Sequence, residues 1–181
     1  MTSTESTRSS LARLLRQSST GLDLTILERP RMRELHLTLR PLPAETPDAF
    51  FARLASVLQA HEATVVWQEV FGELNAGAAA LTPLRNALGE VDWPVNWIEG
   101  GSCGGGPLSG THVMAVSGMP VETVRMDGRP VGRVYNDGLA RHCLLGDVGP
   151  IDRSRAPEDQ CKETYAQLER ALSQVWLGIN Q

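Results

Sequence analysis

No apolar run in the 181-residue sequence is long enough to cross a membrane. Residues 1–20 are rich in Ser and Thr, with Arg8, Arg13 and Arg16, and have no apolar stretch of the kind a secretory signal needs. Their composition is also that of a transit peptide, but they read as a flexible tail closing on an amphipathic turn at Leu11, Leu14 and Leu15. A basic excess is lacking too. The 17 Lys and Arg against 21 Asp and Glu leave a net charge of -4, which removes the extended field that nucleic acid or an acidic membrane would require. Cys103, Cys143 and Cys161 form no CxxC pair, so reduced thiols in a cytoplasmic protein fit better than a disulfide framework. His36, His61, His112 and His142 have no metal-ligand spacing, and no metal or other cofactor is expected. Aromatics make up only 5% of the chain, although four of them are Trp.

What the sequence does have is a dense glycine stretch within residues 93–118, WPVNWIEGGSCGGGPLSGTHVMAVSG. Residues 94–98 and 111–116 carry the β-branched and aromatic content of two strands. Between them, Gly100, Gly101, Gly104, Gly105, Gly106 and Gly110 surround Ser102 and Cys103. Glycine costs about 0.5–1 kcal/mol in regular structure, so the cluster points to backbone at positive φ or in close approach. The neighbour approached is a ligand, another chain, or nothing at all if the loop is a plain hairpin.

Ahead of this stretch, Leu22, Leu24 and Ile26 alternate, as do Leu35, Leu37 and Leu39 beyond a turn at Arg29-Pro30, which predicts an antiparallel hairpin with one buried face. Thr46-Pro47-Asp48 is a helix start, and Phe50, Phe51, Leu54, Val57 and Leu58 recur at helical spacing toward His61. The run TVVWQEVFGEL reads as a strand. A second helix over residues 76–88 requires Pro83 in its first turn and stops at Gly89. Residues 21–118 thus read β-β-α-β-α-β-β, a self-sufficient two-layer unit. Residues 119–181 begin the order again, with a strand pair turning at Asp127-Gly128 and a helix from Ala156-Pro157 carrying Tyr165, Leu168, Leu172 and Val175. Trp176 follows that helix as Trp67 follows the first.

The order of helix, VVWQEVFG strand, helix, WPVNWIEG strand and THVMAV strand resembles the Rid (YjgF/UK114) family. The tandem arrangement resembles its chorismatase branch, in which two Rid-like units follow one another. The resemblance implies an α/β (α+β) fold, a Rid-like (YjgF/chorismate-mutase-like) two-layer sheet with helices on one face, plus a partial second repeat. It also implies a trimer with ligand sites between subunits, and hydrolysis of enamines and imines or of an enolpyruvyl ether. In deaminating members a loop arginine pairs with the substrate carboxylate, and here Ser102 or Cys103 stands there; Met114 occupies the region of the family's glutamate. Leu145-Gly146-Asp147 matches the family's front-half signature, and Tyr135 sits near its ligand-contacting tyrosine, whereas the first unit reads Leu39-Arg40-Pro41 at the matching position.

The candidate site follows. Ser102, Gly104, Gly105 and Gly106 could form a backbone nest for a small carboxylate, completed by Tyr135 and Gly146. No Gly-Lys-Ser/Thr follows, which excludes a Walker-type phosphate loop. Glu99 is the candidate general acid or base, against the reading of a solvated edge glutamate, and Cys103 assisted by His112 is the candidate nucleophile. The second unit, read as a hairpin plus one helix, is too small to stand alone. It calls for an obligate homo-oligomer, a trimer by resemblance, or a chain that supplies the missing half. The alternative function is a catalytically silent Rid-like subunit used for assembly or partner binding.

Overall fold

A computed structural model describes residues 12–73, 77–101 and 106–177. The elements in order are β1 (Arg13–Ser19), β2 (Leu22–Glu28), β3 (Arg33–Leu39), α1 (Pro47–Ala60), β4 (Thr64–Gly72), α2 (Gly77–Leu88), β5 (Val95–Glu99), β6 (Leu108–Ser117), β7 (Glu122–Met126), β8 (Arg129–Asn136), β9 (Arg141–Leu145) and α3 (Pro157–Ser173).

Six strands form one sheet in the order β1-β2-β3-β6-β4-β5. Period-2 alternation in β2 and β3 sends Leu24, Ile26, Leu35, Leu37 and Leu39 to one face, where they are buried beneath α1. That helix starts where its cap chemistry places it. Thr46 Oγ1 accepts the Ala49 N–H at 3.3 Å, Pro47 stands in the first turn, and Phe50, Phe51, Leu54 and Leu58 face inward. Helix α2 lies beside α1 and carries the chain from β4 to β5, the one parallel pair in this sheet, as a parallel connection requires. Pro83 stands inside α2 rather than in its first turn, and the helix continues past it to Leu88, where Leu84 is buried against the shared core.

Part of the stretch expected as a tail is a strand, β1. Residues 13–19 pair antiparallel with β2 as an edge strand, exposed except at Leu15, which packs against the core, so backbone bonds and that one side chain hold it there.

Strands β7, β8 and β9 form a second sheet with β8 in the middle, and Asp127 and Gly128, both at positive φ, turn β7 into β8. It is three-stranded, not a pair, because the ARHCLL segment pairs with β8 along its whole length. One face takes α3, with Ala171 and Val175 against Val124 and Val134. The other lies on the helix-free face of the large sheet, where Tyr135 and Leu144 meet Val66, Met114 and Val116. No uncovered two-stranded sheet is left over to demand a partner. Tyr165, expected to point inward from α3, is 63% exposed, and the inward stripe runs through Ala171 instead. Trp176 is exposed as well. Among the described residues no helix is long and apolar enough to cross a membrane, and no group of His, Cys, Asp or Glu could hold a metal ion.

Candidate functional site

Strand β3 ends at Leu39, and residues 40–46 climb to the start of α1. This connection is stiff. Arg53 of α1 donates to the carbonyls of Gly21 and Arg40 and grips the Glu45 carboxylate through Nε and Nη2 at 3.0 and 2.8 Å, while Leu42 N–H donates to the same carboxylate at 2.8 Å. Hydrogen bonding by Arg53, then by the Leu42 backbone, holds the Glu45 carboxyl below its ordinary pKa. Ala44, at φ 61, completes the turn.

Facing this connection are the two described ends of the glycine stretch. Gly100 N–H donates to Gly72 O at 3.0 Å, Glu73 N–H to Pro107 O at 3.1 Å, and Ser109 Oγ to Gly100 O at 2.7 Å, so both ends are tied to β4 and to each other. Between the two banks opens a cleft of about 690 Å³, in the size range of small-molecule sites. Its walls include Pro43, Pro47, Phe50, Pro107 and Leu108, with Arg40, Glu45 and Ser109 as the polar members.

The glycines of this stretch serve two purposes. A Cβ at Gly110 would lie 2.7 Å from the Leu39 carbonyl, so close strand packing requires glycine there. A Cβ at Gly101 or Gly106 would meet nothing within 4 Å. Those two border the cleft, and their lack of a side chain keeps it open.

Glu99 closes β5 opposite Gly72 and is exposed, so the desolvation expected of a general acid does not occur in the isolated chain. It stands two residues before Gly101, which lines the cleft. Ser102, Cys103, Gly104 and Gly105 lie outside the described residues. His112 turns away from the cleft on the helix-free face, where Nδ1 pairs with Thr38 Oγ1 at 3.1 Å and its ring packs near His36 and edge-on to Trp67. Burial, then the charge of His36, pushes its pKa down.

Tyr135 and Gly146 are not among the residues that line the cleft. Tyr135 is 3% exposed, packs with Val116 at the far end of β6 from Leu108, and stacks on His142 at 4.7 Å between ring centroids. Burial raises its phenol pKa to about 12. Beyond it, Asp137 takes the Leu139 and Ala140 N–H groups and binds both Arg29 and His142, which fastens the β8–β9 turn to the β2–β3 turn. Gly146 instead abuts β5, where its Cβ would sit 2.8 Å from Asn96 Nδ2, and Asp147 N–H donates to Asn96 Oδ1 at 2.7 Å.

Sequence reasoning missed the opposite bank. In the sequence Leu39-Arg40-Pro41 shows only as a departure from a family pattern, yet Arg40 and Pro41 begin the wall that faces the glycines. The run of prolines at 41, 43 and 47 was the available sign of a stiff connection.

No protein-family model matches the chain, and no curated protein matches its sequence. Among solved structures, a chorismatase is similar over 87% of this chain and 58% of its own, at 13% identity and a TM-score of 0.57. The chain therefore spans somewhat over half of that protein, and the likeness is one of fold. A structure titled a "putative translation initiation inhibitor" from Salmonella typhimurium matches over 58% of this chain and 96% of its own, at 13% identity and a TM-score of 0.40.

Proposed function

We propose that the chain binds, and hydrolyses, a small carboxylate-bearing metabolite of the enamine, imine or enolpyruvyl ether type in the cleft between the β3–α1 connection and the glycine stretch. The observation that carries this reading is the cleft itself, ligand-sized and largely apolar, bordered by Gly101 and Gly106, where an added Cβ would meet nothing within 4 Å. The chorismatase-like fold supports it as a fold. In this proposal Ser102, Gly104, Gly105 and Gly106 present backbone N–H groups to the carboxylate, and Glu99 at the rim moves protons. For an enolpyruvyl ether, water adds to the ether-bearing carbon, the vinylic CH2 takes a proton, and pyruvate and the free alcohol separate. Cys103, assisted by His112, is the further nucleophile candidate; the His112 Nδ1 pairs with Thr38 Oγ1, which leaves Nε2 as the basic atom.

The proposal includes a cytoplasmic homo-oligomer, a trimer by the Rid resemblance, and residues 119–181 as a partial second Rid-like unit. Exposed Glu99 and distant Tyr135 fit a site completed by a neighbouring chain. The second reading, a silent subunit, is favoured by one specific observation. The carboxylate that lines the described cleft, Glu45, is committed to Arg53 and Leu42.

Purified protein offered chorismate, and separately 2-iminoacids generated in situ, decides between them. Pyruvate or ammonia released above background on either substrate upholds the enzyme, and no turnover on both upholds the silent subunit.

A further inference from the structure

A second cavity, of about 390 Å³, lies where the C-terminal halves of α1 and α2 meet the start of β4 and the middle of β8. Leu58, Val65, Ala87, Leu88 and Trp93 give it apolar walls, and Arg133 lines it from β8. Arg133 is 7% exposed. Of the five N–H donors of a guanidinium, one is used, by Thr123 Oγ1 at 2.7 Å, and the buried Nε has no acceptor. No carboxylate among the described residues forms an ion pair with it. The charged neighbours that act on it, Asp92 and Arg125, pair with each other. A buried guanidinium normally meets a carboxylate or an equivalent set of acceptors, because its hydration has been given up.

We infer that this cavity is a binding site for a small monocarboxylate with an apolar body, its carboxylate on Arg133 and its body against Trp93 and Leu58. One guanidinium matches one carboxylate in a two-pronged pairing, and it is the one charged group on a lining whose other polar side chains are Gln59 and Thr64. Trp93 is a fixed wall, since its indole N–H donates to Gln68 Oε1 at 2.8 Å. The volume suits a molecule of benzoate or phenylpropionate size. The site is separate from the glycine cleft, since the two cavities share no lining residue. It stands whether or not that cleft binds anything.

The test is a nitrogen-15 NMR titration of the full chain with benzoate and with 3-phenylpropionate, each beside its neutral amide. The expected result is a saturable shift of the Arg133 Nε–H and Trp93 indole signals by the acids, with the amides at least about tenfold weaker. Arg133→Gln and Ala87→Phe should each abolish the shift. Ala87→Phe fills the cavity and keeps the guanidinium, so it remains informative if the arginine variant does not fold. Acids and amides binding alike, acids shifting only signals near Ser109, or no saturable shift at millimolar acid would each overturn the inference.

Discussion

The Gln68 carboxamide, wholly buried in β4, accepts the Trp93 indole N–H at 2.8 Å and donates to Thr111 Oγ1 at 3.1 Å, and Thr111 in turn donates to the Glu69 carbonyl at 2.6 Å. The chain of bonds joins β4, β6 and the approach to β5 inside an otherwise apolar core. Gln68→Leu keeps the volume and leaves the indole N–H without a partner, at a cost of about 1–3 kcal/mol. Urea unfolding of the two proteins measures it.

A Cβ at Gly146 would lie 2.8 Å from Asn96 Nδ2 and 3.0 Å from Pro94 Cβ, so the Asn96 amide, held by Asp147 N–H, must shift to admit it. Gly146→Ala should destabilise the chain by about 1–3 kcal/mol, as overpacking does. Asn96→Ala in the same chain should recover part of that loss, although the bond to Asp147 goes with it. A double-mutant cycle by thermal unfolding reads the coupling, and additive losses would place the clash elsewhere.

Asp137 and Glu45, alongside Asp23 and Asp152, contribute to the acid limb of stability. Backbone donation from Ala140 and Leu139, then the bond from His142, holds the Asp137 carboxyl far below its ordinary pKa, and Arg53 lowers that of Glu45. A depressed folded pKa means stability that is present above the unfolded value, about 4, and is lost as pH falls below it. Urea midpoints between pH 7 and pH 3 should therefore drop in the wild type, and drop less steeply in Asp137→Asn.

His112 acts in a higher window. Its folded pKa is depressed by burial, so the unfolded chain takes the proton first, and stability declines as pH falls below about 6.5. His112→Gln should flatten the curve between pH 7 and pH 5 and leave the carboxylate limb below it intact.

The elements legible in the sequence were those whose signal is local. Leu24, Ile26, Leu35 and Leu37 alternate at period 2, Thr46-Pro47 caps α1, and Asp127-Gly128 turns β7 into β8, each by a rule that acts over a few residues. Strand β1 was not legible, because RLLRQSS buries almost nothing and is held by backbone pairing with β2. Tyr165 misled because an apolar ring at helical spacing is not obliged to face inward when the smaller Ala171 fits the β7–β8 surface. The glycine side of the cleft was found from composition, but its other wall begins some sixty residues earlier, and only the β3–β6 pairing brings Leu39 beside Thr111. Arg133 gave no sign at all, since its burial depends on the small sheet lying against β4.

The central claim, that the cleft between the β3–α1 connection and the glycine stretch is the ligand site, is tested most directly at Gly106. An added Cβ at Gly106 would meet nothing within 4 Å, so Gly106→Phe should direct a ring toward the cleft. Calorimetric titration with chorismate, and with a 2-iminoacid formed in situ, should show binding of at least one of them by the wild type. The variant, with an unchanged melting temperature, should lose that binding by about tenfold or more. Equal affinity in both proteins, or no binding of either compound by the wild type, would contradict the account.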